Sequence, residues 1–182
     1  MNRWGARTMF FGSLGAAARI LGRLGTSGTA AVEFAIFVPL FMILVAGTVD
    51  FGYLIYSGSA LSAAVSAGSQ YTANNGAMVA TDPSGLATAI SSVVNNANGT
   101  NWATSTVNVN NGNDTTNCYC PTGLPGNWTW GAPVACGNPC ASGGIAGQFV
   151  TITASRNVSA LFPTFGLAYS DTISRNAIVE TQ

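Results

Sequence analysis

A chain of 182 residues with six arginines, six acidic residues, no lysine and no histidine holds few of the groups that enzymes use. Histidine is the usual general base near neutral pH and lysine the usual Schiff-base or phosphate-binding side chain, so catalysis would have to rest on Asp, Glu, Tyr or Cys alone. Zero net charge leaves no basic stripe for nucleic acid, and the length suits one modest domain with appendages.

The charges are unevenly spread. Arg3, Arg7, Arg19 and Arg23 all precede the first acid, Glu33, and the next basic residue is Arg156. By the positive-inside rule the N-terminus stays cytoplasmic and everything after about Tyr53 is exported. Met9 to Leu14 is apolar but too short to span a bilayer.

From Phe34 to Val49 no side chain is charged. A helix of that span is roughly 24 Å long. Adding 29–32 and the Tyr-bearing end reaches the ~30 Å of a hydrocarbon core. Tyr53 and Tyr56 suit the far interface. A cleaved secretory signal has a shorter apolar region and a small-residue cleavage site after it, so the run reads as a retained anchor. Beyond it, Ala60, Ala64, Gly68 and Thr72 recur every four positions and make a smooth ridge of the kind that lets helices approach closely. Leu54, Leu61 and Val65 make an apolar stripe beside the ridge. One helix from about Thr29 to Thr72 is expected, with Pro39 able to bend it; the alternative for its second half is an amphipathic helix lying on its own domain.

Glu33 needs a reason, because a charge deep in hydrocarbon costs roughly 3 kcal/mol even on lenient scales. The stretch "GTAAVEFA" resembles the processing site of type IV prepilins: a basic leader, a glycine, a cut, and glutamate as the fifth mature residue. Gly28, Ala31, Val32, Glu33, Phe34, Ala35 and Pro39, followed by "DFGYLIYSGSALSAAVSAGSQYTA", resemble the TadE-like family of the tight-adherence (Flp) pilus system. The resemblance implies cleavage between Gly28 and Thr29 by a prepilin peptidase. A new ammonium on Thr29 would then stand one helical turn from Glu33, and the two can pair within a chain or between neighbours. Glu33 thereby acts as a register pin. Snorkelling of Glu33 to the interface is the plainer reading.

The head of the exported region is expected to begin after about residue 75. Ser84 is expected to cap a short helix from Gly85 to about Asn96, and Thr104 to Asn110 alternates as a strand. Cys118, Cys120, Cys136 and Cys140 form Cys-x-Cys and, fifteen residues on, Cys-x₃-Cys. Such spacing could hold zinc in the cytosol, but export favours two disulfides within the loop 118–140. On a strand, Cys118 and Cys120 face opposite ways and do not bond to each other. Two pairings remain, with the nested one, Cys118–Cys140 with Cys120–Cys136, preferred. Trp128 and Trp130 either cover this loop or stack on a ligand. "QFVTITAS" is the clearest strand, "LFPTFG" an apolar-rimmed turn around Pro163, and Ile173 to Glu180 a final strand. Arg175 is expected to pair with Asp171 or Glu180 at the surface. The order of the cysteine pairs, "FVTITAS", "LFP" and a terminal strand carrying Arg175 also resembles TadE-like proteins.

These readings combine into an α+β protein: a cytoplasmic leader (1–28), a transmembrane helix running on to residue 75, and a disulfide-stabilised, pilin-like exported head (76–182) with a short helix and a small antiparallel sheet. The resemblance implies a minor pilin or pseudopilin of the bacterial inner membrane, single-pass, with its head in the periplasm or in the pilus itself. Its implied partners are the membrane, the prepilin peptidase, other pilin-like subunits and the assembly machinery, with no cofactor, metal or nucleic acid. The competing reading is a signal-anchored exported binding module that uses the Trp128 and Trp130 loop. A zinc-dependent exported enzyme is a third.

Overall fold

The computed structural model describes residues 27–124, 127–163 and 170–181. The leader arginines, Met9 to Leu14 and the turn beyond Pro163 lie outside the described residues. The α+β expectation holds: one long apolar helix is followed by two short helices, a three-stranded antiparallel sheet and a disulfide-bonded lobe. The chain divides into two units, Met1–Gly47 and Thr48–Gln182.

Helix α1 (Ser27–Asn74) includes Pro39 without interruption. In its later turns, small polar residues return their hydroxyls to the preceding turn. Ser62 donates to the Gly58 carbonyl, Ser69 to Val65 and Thr72 to Gly68, at 3.1, 2.9 and 2.9 Å. Such back-bonding lets a hydroxyl be buried without an orphaned donor. The helix closes where Asn75 doubly donates, from its backbone and its side chain, to the Tyr71 carbonyl.

The short helix α2 (Met78–Thr81) leads to α3 (Pro83–Asn95). Its cap is Asp82 and not Ser84. The Asp82 carboxylate accepts from the Gly85 N–H at 2.9 Å and from the Ser84 hydroxyl at 3.1 Å. Pro83 then occupies the first helical position, where its missing N–H costs nothing. Strand β1 (Thr104–Val109) pairs with β6 (Phe149–Ser159), which pairs along its whole length with β7 (Ser170–Glu180).

Period-two alternation sorts this sheet into two faces. Val109, Val150, Ile152 and Ala154 are buried against Leu86, Ile90 and Val94 of α3 and against Leu61, Ala64 and Val65 of α1. Thr104, Thr106, Thr153, Ser174 and Asn176 lie exposed on the other face. The result is two layers, helices on one side of a sheet whose other side is polar.

Between β1 and β6 lies the cysteine lobe. Asn110–Asn113 is a tight turn in which Asn110, Asn111, Gly112 and Asn113 all have positive φ. Asn and Gly are the residues that visit this region most readily. Asp114 then accepts from the Thr116 N–H (2.9 Å), the Asn117 side chain (2.9 Å) and the Tyr119 hydroxyl (2.8 Å). These donors, the Thr116 N–H foremost, hold its carboxyl well below the usual range. Burial pushes the Tyr119 phenol up.

Two two-stranded pieces complete the lobe: β2 (Cys118–Tyr119) with β5 (Pro133–Val134), and β3 (Thr122–Leu124) with β4 (Asn127–Thr129). The disulfides are Cys118–Cys136 and Cys120–Cys140, so the nested pairing is wrong. The ladder explains why. Antiparallel β5 sets Val134 opposite Cys118, so the chain reaches Cys136 just past Cys118. Nesting would need Cys136 to lie across from Cys120. The chain then doubles back, with Asn138 donating to the Ala135 carbonyl, and Cys140 is left for Cys120.

Candidate membrane anchor and assembly segment

The first unit holds the apolar part of α1. Val32, Phe34, Ile36, Phe37, Leu40 and Phe41 are all more than half exposed, so the large side chains point outward all round the helix. A helix apolar on every side suits lipid or a buried bundle position rather than one wet face. Among the described residues it is the one helix long and apolar enough to cross a membrane. Gly28 and Thr29 fall in its first turns, and Glu33, one turn beyond Thr29, has an exposed side chain. Pro39, also exposed, supplies no N–H to the Ala35 carbonyl.

In the second unit α1 changes character. The ridge of Ala64, Gly68 and Thr72 is buried and Ala60 half-buried, turned toward this chain's own core. The second half of α1 is thus the amphipathic helix on its own domain, and Leu61 and Val65 of the apolar stripe sink into the core with it. Arg175 does not pair along its own strand. It donates from Nε to the Ser62 hydroxyl at 3.1 Å and from Nη1 to the Ser174 carbonyl at 2.8 Å. Alternation puts Glu180 on the opposite face, and Asp171 lies about 13 Å away along the strand.

Two contacts at the start of this unit escaped the sequence reading. Asp50, 2% exposed, accepts from the Leu161 backbone N–H at 2.8 Å. The Tyr53 hydroxyl accepts from Arg156 Nη2 at 3.1 Å, and the Arg156 guanidinium lies 4.3 Å from the centre of the Trp102 ring. The only local signal for Asp50 is a lone acid directly after the apolar run; its partner is 111 residues away.

Trp128 and Trp130 belong to an aromatic cluster. Their ring centres are 4.9 Å apart, Trp130 meets Tyr119 edge-on at 5.5 Å, and Trp128 meets Phe149 edge-on at 5.8 Å. Edge-to-face packing of this kind stabilises a small lobe beyond its buried area. All four cysteines are oxidised in pairs.

Residues 28–70 match the family model of TadE-like protein. This segment is TadE-like. The match opens at Gly28 and closes inside α1, so it covers the apolar run, Glu33, Pro39 and the small-residue ridge, and does not extend to the cysteine lobe or the sheet. No curated protein and no solved structure matches the chain. TadE-like proteins are a structural, pilus-associated family. The match and the apolar helix liken the first part of the chain to these pilus-associated proteins.

Proposed function

We propose that the protein is a minor pilin or pseudopilin of a tight-adherence pilus, made as a precursor and cut between Gly28 and Thr29 by a prepilin peptidase. The observation that carries this reading is the TadE-like match, which begins at Gly28 and includes Glu33. Four arginines before the cut keep the leader cytoplasmic, and the sheet and cysteine lobe are exported. The mature helix waits in the inner membrane and packs there with other pilin-like subunits and the assembly machinery. The Thr29 ammonium and a Glu33 carboxylate pair at one membrane level, which offsets part of the cost of keeping the acid there and penalises neighbours out of register. The disulfides fit an oxidising compartment.

Intact-mass measurement on protein from its native membrane tests the reading. The expected species begins at Thr29 and carries two disulfides. A chain still beginning at Met1 in peptidase-competent cells rejects the processing step and the pilin role with it.

A further inference from the structure

Asparagine is depleted in strands, partly because its side chain competes for the hydrogen bonds of the backbone. Asn108, Asn127, Asn157 and Asn176 nevertheless stand in β1, β4, β6 and β7. Two of them have internal work. Asn108 Oδ1 accepts from the Gly112 N–H at 2.8 Å, and Asn157 Oδ1 accepts from the Thr172 hydroxyl at 2.6 Å. The side chains of Asn127 and Asn176 make no hydrogen bond to a described residue. Both of these residues line the same cleft.

The cleft, about 240 Å³, lies between the β3–β4 hairpin and the polar face of the sheet. Asn127 and Trp128 of β4 line one side; Thr151 and Thr153 of β6 with Asn176 and Ile178 of β7 line the other. Thr151 pairs with Ile178 and Thr153 with Asn176, so these four share the face opposite the buried Ile152. Phe149, on the same face, meets Trp128 edge-on at 5.8 Å and so seats the hairpin against the sheet. The hairpin also lies inside both disulfide loops, 118–136 and 120–140, which hold it in place before any ligand arrives.

None of the lining residues is charged. A phosphate, a carboxylate or a metal ion would find no opposite charge here. The cleft offers amides and hydroxyls, groups that both donate and accept, beside one half-buried indole. The Trp128 N–H donates to no described residue and adds one more donor. A pyranose ring presents the matching surface. Its hydroxyls donate and accept around the rim, and its C–H groups pack against the negative face of an aromatic ring. The volume falls below the ~300–1,000 Å³ of sites for drug-sized ligands, which suits a single ring.

We propose that this cleft binds one ring of a neutral sugar, packed against Trp128 and hydrogen-bonded by Asn127, Thr153 and Asn176. The site lies wholly within the second unit, so it is independent of membrane spanning, leader cleavage and the pilus role.

The test uses the full chain in phospholipid nanodiscs without glycolipid, because detergents with sugar headgroups would compete. Saturation-transfer NMR is run with methyl glucoside, methyl galactoside, methyl mannoside and N-acetylglucosamine, and with glucuronate as the charged counterpart. Trp128 is kept, since it also packs the lobe; Thr153→Val and Asn176→Ala change exposed positions on the sheet instead. Saturable transfer to the ring protons of at least one neutral sugar, about tenfold weaker in both variants, is the expected result. Thr104→Val, on the same face but outside the cleft, should bind as the parent does. No saturable transfer to any neutral sugar overturns the proposal. Transfer that persists undiminished in both variants overturns it as well, because the binding then lies elsewhere. A preference for glucuronate over the glucoside overturns the assignment to a neutral ligand.

Discussion

At Gly68, α1 approaches α3 so closely that a Cβ would lie 2.7 Å from Val94 Cγ2 and 3.4 Å from Ile152 Cδ1. Overpacking of a filled core costs about 1–3 kcal/mol. Alanine's better helix propensity returns up to ~1 kcal/mol. Gly68→Ala is therefore expected to lower stability by about 1–2 kcal/mol, read as a lower urea midpoint at unchanged slope; an unchanged or higher midpoint would show that the helices separate without cost. Glu33 lies near the start of α1 with its side chain exposed. Glu33→Gln is expected to leave membrane insertion intact and to reduce co-purification with pilin-like partners by about tenfold, the loss of roughly 1.4 kcal/mol of pairing. Undiminished co-purification would leave the register pin without support.

Single elements differ in how much of them was legible. α1 and the paired strands β6 and β7 follow from local pattern: an uncharged apolar run, then strict alternation in "FVTITAS". The cap of α3 was misplaced by two residues, because Ser84 was weighed without Pro83. Proline prefers the first helical position, which makes Asp82 the cap. The loop after β1 makes its own prediction. Asp114 is a carboxylate whose folded pKa lies below its unfolded value near 3.9, so its contribution is full above that value and is lost as pH falls toward the folded one. Asp114→Asn should destabilise by about 1 kcal/mol at neutral pH, a charged acceptor being exchanged for a neutral one on a partly exposed loop. The gap to the parent should narrow progressively below about pH 4. A constant gap across that range in urea titrations would mean that the charge on Asp114 contributes nothing.

On the scale of the whole molecule, the boundary expected near residue 75 does not coincide with the division between units, which falls after Gly47. Leu61, Ala64, Val65, Gly68 and Thr72 all lie in the core of the second unit. A chain beginning at residue 76 lacks them, and a small domain has little core to spare. Such a chain is expected to unfold without a cooperative transition by circular dichroism, whereas one beginning at Thr48 should melt cooperatively. A sharp melt for the shorter chain would show that α1 is dispensable to the head. The family match ends at residue 70, within this shared helix, so the head beyond it has to be understood from its own packing.

Read alone, the sequence determined the apolar span, the long helix, the main strands and the TadE-like segment. Each is written in residues close together in the chain, as a period or a motif. Tertiary structure decided which cysteines join, that the small-residue ridge faces inward, that Arg175 reaches Ser62 and that Asp50 holds the loop at Leu161. Those partners lie 18 to 113 residues apart. Their meeting depends on the register of β2 against β5 and on where the sheet sets its ends against α1, and a local pattern carries neither.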